Sequence, residues 1–290
     1  MLDVSAVVVT YNALPYIERT LQSVEGLETV VVDHGSTDET LALVRERFPR
    51  VRLVEQENLG LAAGWNRGVR ETSAPNVLVL NSDAWLVDDA AERLVAFAEE
   101  RGRAGFVAPR LRNPDGSLQR SVRAFPTPWR LATEYFFLRK LAPGSRLLNA
   151  FYGGGFDHDE VREVDFAKGA AFLLRRAAFE DIGPFDERFF LFSEETDWCY
   201  RLHEAGWEVL FYPGAEVVHV GGASWRRESS TLFREQVRGH LRFLAKHRGP
   251  RVTARARRVL LAGLRLRGLV FRGDRGAVYR DTAHWLQSTR

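Results

Sequence analysis

The sequence predicts an α/β fold: a parallel sheet covered on both faces by helices. Three observations predict it. Apolar, β-branched runs of strand length alternate with helical periodicities through residues 4–100; polar clusters recur where those runs end; and from residue 226 the pattern turns basic and helical.

Residues 4–9 (Val-Ser-Ala-Val-Val-Val) form the first strand, ending at Thr10-Tyr11-Asn12, and residues 15–24 carry Ile17, Leu21 and Val24 at helical spacing. Residues 29–32 form a second buried strand, 33–38 a polar loop with Gly35, and 39–48 a helix. A third short strand over 51–55 precedes the Gly-rich stretch 58–68, which leads into or forms a helix. The fourth strand, 76–80, ends at Asn81-Ser82-Asp83 and is followed by a helix over 88–100. Beyond Gly105 the order changes. Residues 106–108 read as a strand, 109–128 as an Arg-, Pro- and Gly-rich segment, and 152–159, with three consecutive glycines, as a mobile loop. Residues 166–174 are expected as one strand, 195–205 as a helix stopped by Gly206, 209–212 and 217–220 as two short strands, and 228–290 as largely helical. Two halves sharing one sheet are expected, 1–105 and 106–225, with residues 226–290 as an extension.

Composition narrows the class. At 290 residues, 45% hydrophobic and 27% charged, the chain can bury a full core. No run approaches the roughly 18 apolar residues of a membrane span, and residues 1–9 lack a secretory leader's basic region and cleavage site, so a cytoplasmic location is expected. The single cysteine, Cys199, excludes an internal disulfide and is expected to be a buried thiol. Residues 226–290 hold 17 Lys/Arg against four acids, a net of +13; since the whole chain carries +3, residues 1–225 carry −10. A tail this basic, with apolar residues between its charges, suits an anionic membrane surface, nucleic acid, or a solvated or dimerising helix.

In doubly wound sheets ligands bind beyond the carboxyl ends of the strands, where three of the polar clusters fall. The loop Asp33-His34-Gly35-Ser36-Thr37-Asp38 offers a carboxylate to a base N–H and hydroxyls to a ribose; a capped helix start uses the same residues. The stretch from Asn58 to Gly68, including Gly60 and Asn66, has the small residues a backbone needs to approach a ligand, and helix–sheet packing explains Gly64 and Gly68 equally well. It is neither a P-loop nor a dinucleotide fingerprint. Asp83 is suited to a hard divalent cation, which takes one or two carboxylates and leaves the rest to phosphates and water; His219 is a candidate further ligand. Glu194, Glu195 and Asp197, just before Trp198, exceed what one helix cap needs, and a helix opening there would keep Glu195 ionised as a base.

Taken together, Val8 to Asn12, the Asp33–Asp38 loop, Asn58 to Gly68, Leu80 to Asp83, Lys168-Gly169-Ala170, the Glu194–Asp197 cluster with Ala205-Gly206-Trp207, and His219-x-Gly-Gly-x-Ser resemble family 2 glycosyltransferases, especially the rhamnosyltransferase-like and galactofuranosyltransferase-like branch. The likeness covers residues 4 to about 225 in order. It implies a GT-A fold, a Rossmann-like nucleotide-binding mixed sheet flanked by helices; a UDP- or dTDP-sugar donor; Mg²⁺ or Mn²⁺; and inversion at the anomeric carbon. It also implies a base contact at Asp33 with Thr10, Tyr11, Asn12, Gly35 and Ser36 around the nucleotide and Asn81 and Ser82 at the diphosphate. By the same likeness Asp83 and His219 hold the metal, Glu195 is the general base with Asp197 beside it, and Lys168, Gly169, Glu194 and Trp198 serve the acceptor. Three positions depart from the pattern: Asn81 stands where the family's first metal-motif aspartate is, His34 where Asn or Asp is usual, and Glu195 where Asp is commoner.

The implied substrates are a nucleotide-diphosphate sugar and a saccharide or lipid-linked acceptor, at a site peripheral to the inner membrane face through the basic tail. The enzymatic rival is a nucleotidyltransferase acting on sugar phosphates, whose Gly- and Lys/Arg-rich N-terminal loop residues 10–15 lack; a non-catalytic nucleotide- or sugar-binding relative is a further alternative. A nucleic-acid-binding protein is disfavoured by the acidic first 225 residues.

Overall fold

A computed structural model describes residues 2–221 and 229–289. Its first strand, β1 (Val4–Thr10), is buried at all seven positions, as its β-branched run requires of a central strand covered on both faces. The chain continues through α1 (Ile17–Gln22), β2 (Glu28–Asp33), α2 (Thr40–Arg47), β3 (Arg52–Glu55), α3 (Leu61–Arg70) and β4 (Asn76–Asn81). Strands β3, β2, β1 and β4 lie side by side and parallel, with Thr10 level with Asp33 and Val9 level with Asn81. The expected alternation is thus met, and the three polar strand ends reach one edge.

The second half comprises β5 (Ala84–Leu86), α4 (Ala90–Glu100), β6 (Ala104–Arg112), β7 (Leu118–Gln119), β8 (Val122–Arg123), α5 (Pro128–Tyr135), α6 (Leu138–Leu141), a 3-10 turn at Ala150–Tyr152, β9 (Arg162–Glu163), β10 (Phe166–Ala167), β11 (Ala171–Arg175), α7 (Arg176–Ile182), α8 (Glu194–Glu204) and β12 (Glu208–His219). Strand β11 enters antiparallel between β4 and β6, so the sheet is mixed, and its order is β3-β2-β1-β4-β11-β6-β12-β5. Alternate residues of β1 serve opposite faces: Val7 and Val9 join Trp65, Phe172 and Trp198, whereas Ala6 and Val8 join Leu78, Leu80 and Leu94.

Four sequence expectations need correction. Residues 166–174 form two strands, because at Gly169 the backbone lies against the Trp65 ring, where a Cβ would sit 2.5 Å from the indole; β10 then pairs with β8 in a separate two-stranded sheet. The two strands expected over 209–212 and 217–220 are one strand, β12, ending at His219, whose register shift between Tyr212 and Glu216 absorbs the Pro-Gly turn signal. The Arg- and Pro-rich segment after residue 109 carries the end of β6, then β7 and β8. The loop over 152–159 is anchored rather than free: His158 is fully buried, stacks on Phe156 at 4.5 Å and accepts the N–H groups of Ser121 and Val122, both at 3.3 Å. Burial pushes the His158 ring down to about 4, so it accepts as the neutral imidazole.

Beyond the undescribed residues 222–228, where the expected boundary at 225 and the Gly222–Ser224 part of the motif fall, come α9 (Ser229–His247), α10 (Gly249–Val270) and α11 (Gly273–Ser288). They are not an appended arm. Phe233, Val237, Phe243, Leu244, Leu260, Leu264 and Leu286 belong to the same core as Phe125, Leu131 and Tyr135. Buried Arg267 on α10 donates to the Tyr135 carbonyl at 3.1 Å and pairs with Glu134 at 2.9 Å, fixing α10 against α5.

Candidate active site

At the end of β2, Asp33 is fully buried, and its carboxylate accepts the N–H groups of Gly35 (2.9 Å) and Ser36 (2.8 Å) and the Ser36 hydroxyl. The side chain expected to meet a nucleobase is therefore spent on shaping its own loop. Asn12, in the left-handed region at φ 50°, ties the neighbouring loop to it: its Oδ1 accepts from Thr37 N–H at 2.7 Å, and its own N–H donates to Ser36 Oγ at 2.9 Å. Two side chains at this edge are left uncommitted. The Tyr11 ring is 53% exposed, a ready stacking face, and the Thr10 hydroxyl is buried with no hydrogen-bond partner among the described residues. His34 meets Gln56 at 3.1 Å, and burial holds the ring below the usual histidine range. Its Nε2 lies 2.7 Å from where a Cβ on Gly64 would be, so Gly64 makes room for His34.

The stretch 58–68 is likewise structural. Gly60 (φ 94°) abuts the Phe190 carbonyl, which accepts the Leu61 N–H at 2.8 Å. Asn66 is buried, donates to the Phe185 carbonyl and accepts the Phe185 N–H, both at 2.9 Å. Neither presents a side chain to a nucleotide, and the expectation for Asn66 is corrected by those long-range bonds.

Just beyond the end of β4, Asp83 is brought together with His219 and with Gly221, the latter 138 residues on in the sequence. Asp83 Oδ1 lies 3.4 Å from His219 Nε2, and Oδ2 accepts the Gly221 N–H at 3.2 Å. Gln119 holds the other imidazole nitrogen at 2.7 Å and fixes the ring's orientation; no local signal in the sequence marked it. Ser82 faces the helix α1 through its carbonyl, which accepts the Thr20 hydroxyl at 2.9 Å. Asn81 Oδ1 is buried and has no partner among the described residues. No three His, Cys, Asp or Glu side chains gather into a cation cage among the described residues. One carboxylate, one oriented imidazole and an orphaned amide oxygen at the strand end fit a cation whose remaining positions are filled by phosphate and water.

Helix α8 opens at two consecutive residues in the left-handed region, Phe192 (φ 67°) and Ser193 (φ 71°), a backbone non-glycine residues seldom adopt. The turn aims Glu194 and Glu195 inward. Burial raises the Glu195 carboxyl to about 7 against the N–H groups of Thr196 and Gly169, which favour its ionised form; burial and the Glu195 charge raise Glu194 well above its ordinary range too. One residue on from Gly169, the Ala170 carbonyl accepts the Asn81 N–H at 2.9 Å. The strand-end triplet and Glu195 are thus joined through adjacent peptide units. Lys168, half-buried, faces the same carboxylate; burial and Arg123 push it down to about 8. Arg123, lying over Tyr152 at 4.3 Å and also near Glu195, was not marked by the sequence, since it sits in a segment read only as rich in Arg, Pro and Gly.

Asp197 and Trp198 are corrected. Asp197 is fully buried and bound by Lys246 at 2.7 Å, His247 at 2.8 Å and Arg201 at 3.0 Å. Burial would raise its carboxyl, and the hydrogen bonds from His247 and Lys246 outweigh it and hold it low. It ties α8 to α9 and does not stand beside Glu195. Trp198 is wholly in the core, its Nε1 donating to the Gly183 carbonyl at 3.0 Å.

A family model for glycosyl transferase family 2 matches residues 5–183, a span that includes the triplet and stops before Glu195 and His219. The chain is 32% identical over 268 residues to the N-acetylglucosaminyl-diphospho-decaprenol L-rhamnosyltransferase of Mycobacterium tuberculosis (strain ATCC 25618 / H37Rv), covering 86% of this chain and 87% of that protein. Among solved structures it is similar to GalNAc-T7 with UDP, GalNAc and Mn²⁺ (TM-score 0.57, 18% identity), covering 82% of this chain and about half, 47%, of that one. It is similar also to Staphylococcus aureus TarS 1–349 in complex with UDP-GlcNAc (TM-score 0.56, 16% identity, 96% of this chain and 79% of that one). The mixed sheet is accordingly that of the GT-A glycosyltransferases, and the chain belongs to glycosyltransferase family 2.

Proposed function

We propose that this glycosyltransferase moves a rhamnose-like sugar, with inversion, from a UDP- or dTDP-activated donor to a hydroxyl of a lipid-linked or free saccharide, in cell-surface polysaccharide or glycoconjugate synthesis at the inner face of the membrane. The observation that carries the reading is the link between Glu195, raised to about 7, and the Asn81–Asp83 triplet through Gly169 and Ala170. A base with that affinity is substantially ionised near neutral pH yet still holds a proton well enough to take one. The rhamnosyl donor and lipid-carried acceptor are supported by the likeness to the mycobacterial enzyme.

On this reading the nucleobase stacks on Tyr11, the Thr10 hydroxyl finds its missing partner, and the loop stiffened by Asp33 and Asn12 holds the ribose. The acceptor oxygen attacks C1 as the bond from C1 to the diphosphate oxygen breaks. Its proton passes to Glu195, and the bonding pair leaves with the nucleoside diphosphate. Asp83 and His219, with Asn81 on the same edge, would hold a Mg²⁺ or Mn²⁺, which when bound neutralises charge on the diphosphate. Burial and the Glu195 charge raise the Glu194 carboxyl well above the ordinary glutamate range, which disfavours a second negative charge beside the base. A positioned base contributes about 10² to 10⁴ in rate.

Transfer assays and a thermal-shift panel of UDP-, dTDP- and GDP-sugars, each with Mn²⁺ and with EDTA, test this. We expect stabilisation by one uridine or thymidine donor that EDTA removes, with sugar transfer to a saccharide acceptor. Stabilisation by GDP-sugars alone, or release of pyrophosphate in place of sugar transfer, overturns it.

A further inference from the structure

Six of the eleven exposed large apolar side chains among the described residues lie on α5, α6, the turn after it, and the end of α10: Trp129, Leu141, Leu147, Leu266, Leu269 and Val270. Leu269 is 82% and Leu141 76% exposed. On α10, Leu266 precedes Leu269 by three residues and Val270 by four, so all three share one face. The two elements meet through the rings of Phe137 and Phe271, 5.8 Å apart, which brings the Leu141 turn beside the end of α10. Exposed cations surround this elbow: Lys140 and Arg146 on one arm, Arg265, Arg272 and Arg275 on the other, with Asp274 the exposed acid among them. Glu134 lies beneath and is taken by Arg139 and Arg267.

We infer that this elbow is a docking surface for an anionic lipid bilayer. Apolar tips ringed by arginine and lysine match the interfacial region, where leucines enter the acyl boundary and the cations meet lipid phosphates. No described helix is long and apolar enough to cross a membrane, and none is needed for this mode of contact. The surface is narrower than the basic tail as a whole, since one face of each of its helices packs in the core, and it includes α6, which lies outside the tail. It also connects with the reaction centre. Arg139, on α6, and Arg123 both lie over the Tyr152 ring, at 4.7 and 4.3 Å, and Arg123 lies near Glu195. A cationic path thus leads from the elbow to the base, suited to an acceptor whose sugar is carried on a lipid phosphate. This last point rests on the lipid-linked acceptor proposed above; the docking itself does not.

Flotation of the full chain with vesicles of phosphatidylcholine, and of phosphatidylcholine with phosphatidylglycerol, tests the inference. Binding is expected only with the anionic vesicles, falling as salt rises, and Leu141→Ser with Leu269→Ser should lower the partition coefficient at least about tenfold. Arg272→Glu with Arg275→Glu should do the same without touching the leucines. Both variants should keep full transfer to a water-soluble saccharide acceptor, so loss of docking and loss of the proposed activity are read separately. The inference is overturned if the wild type does not float with anionic vesicles. It is equally overturned if the leucine variant floats unchanged, or if mass measurement finds a dimer that the leucine substitutions dissociate.

Discussion

Glu194 and Glu195 are neighbours on the first turn of α8: burial and the Glu195 charge raise the deeper Glu194 carboxyl well above the ordinary range, and burial raises the half-buried Glu195 to about 7. Transfer should therefore rise with pH through about 7 in kcat/KM, and Glu195→Gln should abolish turnover while sparing donor binding. The same shift has a stability cost of known sign. The folded protein holds a proton on Glu195 at pH values where the unfolded chain has released it, so stability falls as pH rises from the ordinary glutamate range to about 7. Glu195→Gln, neutral throughout, should melt higher than the wild type at pH 8 and lose that advantage at pH 4; an unchanged or lower Tm at pH 8 would contradict the buried charge. At the strand end, Asp83→Asn should remove the Mn²⁺-dependent part of donor stabilisation. It should also lower kcat/KM by more than the roughly 10- to 100-fold that loss of a ligand's hydrogen-bond partner costs; Gln119→Ala, which frees His219, should fall within that range. Glu194, Glu195, Asp83 and His219 were legible in the sequence because strand ends and helix starts are recognisable in one pass, whereas nothing local marked Gln119. Asn66, Asp197 and Trp198 were not, because their partners stand 119, 50 and 15 residues away and no local pattern reports them.

At the scale of elements, α8 is held at its start by strain and along its length by α9. Gly239 on α9 sits where a Cβ would come within 2.8 Å of the Phe192 carbonyl and the Ser193 hydroxyl, and Lys246 and His247 bind Asp197 one turn into α8. Lys246 also reaches Asp186 at 2.8 Å, so it bridges α8 to the loop that leads into it. Lys246→Met should destabilise by about 1–3 kcal/mol in urea, since a buried carboxylate loses a charged partner but keeps two others. Its kcat should drop more than its donor KM rises, because the helix that carries the base shifts while the nucleotide loops do not; equal changes in both would mean that the latch does not position Glu195. Gly239→Ala should act in the same direction without altering any charge. The helix α8 itself was readable from its acids and its terminal glycine, as were the first four strands from their apolar runs. The break between β10 and β11 and the fusion of two segments into β12 were not readable. Each depends on what a glycine packs against: Trp65 for Gly169, and the Tyr212 ring for Gly214.

Over the whole molecule, the charge asymmetry suggested a basic appendage to an acidic domain, and the packing gives another answer. The basic residues of α9–α11 line helices whose opposite faces fill the common core, with apolar positions recurring at helical spacing between them. Composition reports the solvent face of such helices clearly and says nothing about what the other face covers. Seven core side chains from α9–α11 are buried against α5, α8 and their neighbours, at about 1.5–3 kcal/mol each, a sum comparable with the whole stability of a typical domain, ~5–15 kcal/mol. A chain ended at residue 221 should therefore fail to give an active enzyme with a longer reach in solution. It should be recovered aggregated, or as a compact state that binds a hydrophobic dye and melts without a cooperative transition, because Phe125, Leu131 and Tyr135 are left facing water and Asp197 loses both Lys246 and His247. Circular dichroism in the near and far ultraviolet, with a transfer assay on the same sample, separates the outcomes. A soluble truncation that unfolds cooperatively and transfers sugar at the full-length rate would show that the last three helices are an accessory, and that Glu195 is positioned by residues 2–221 alone.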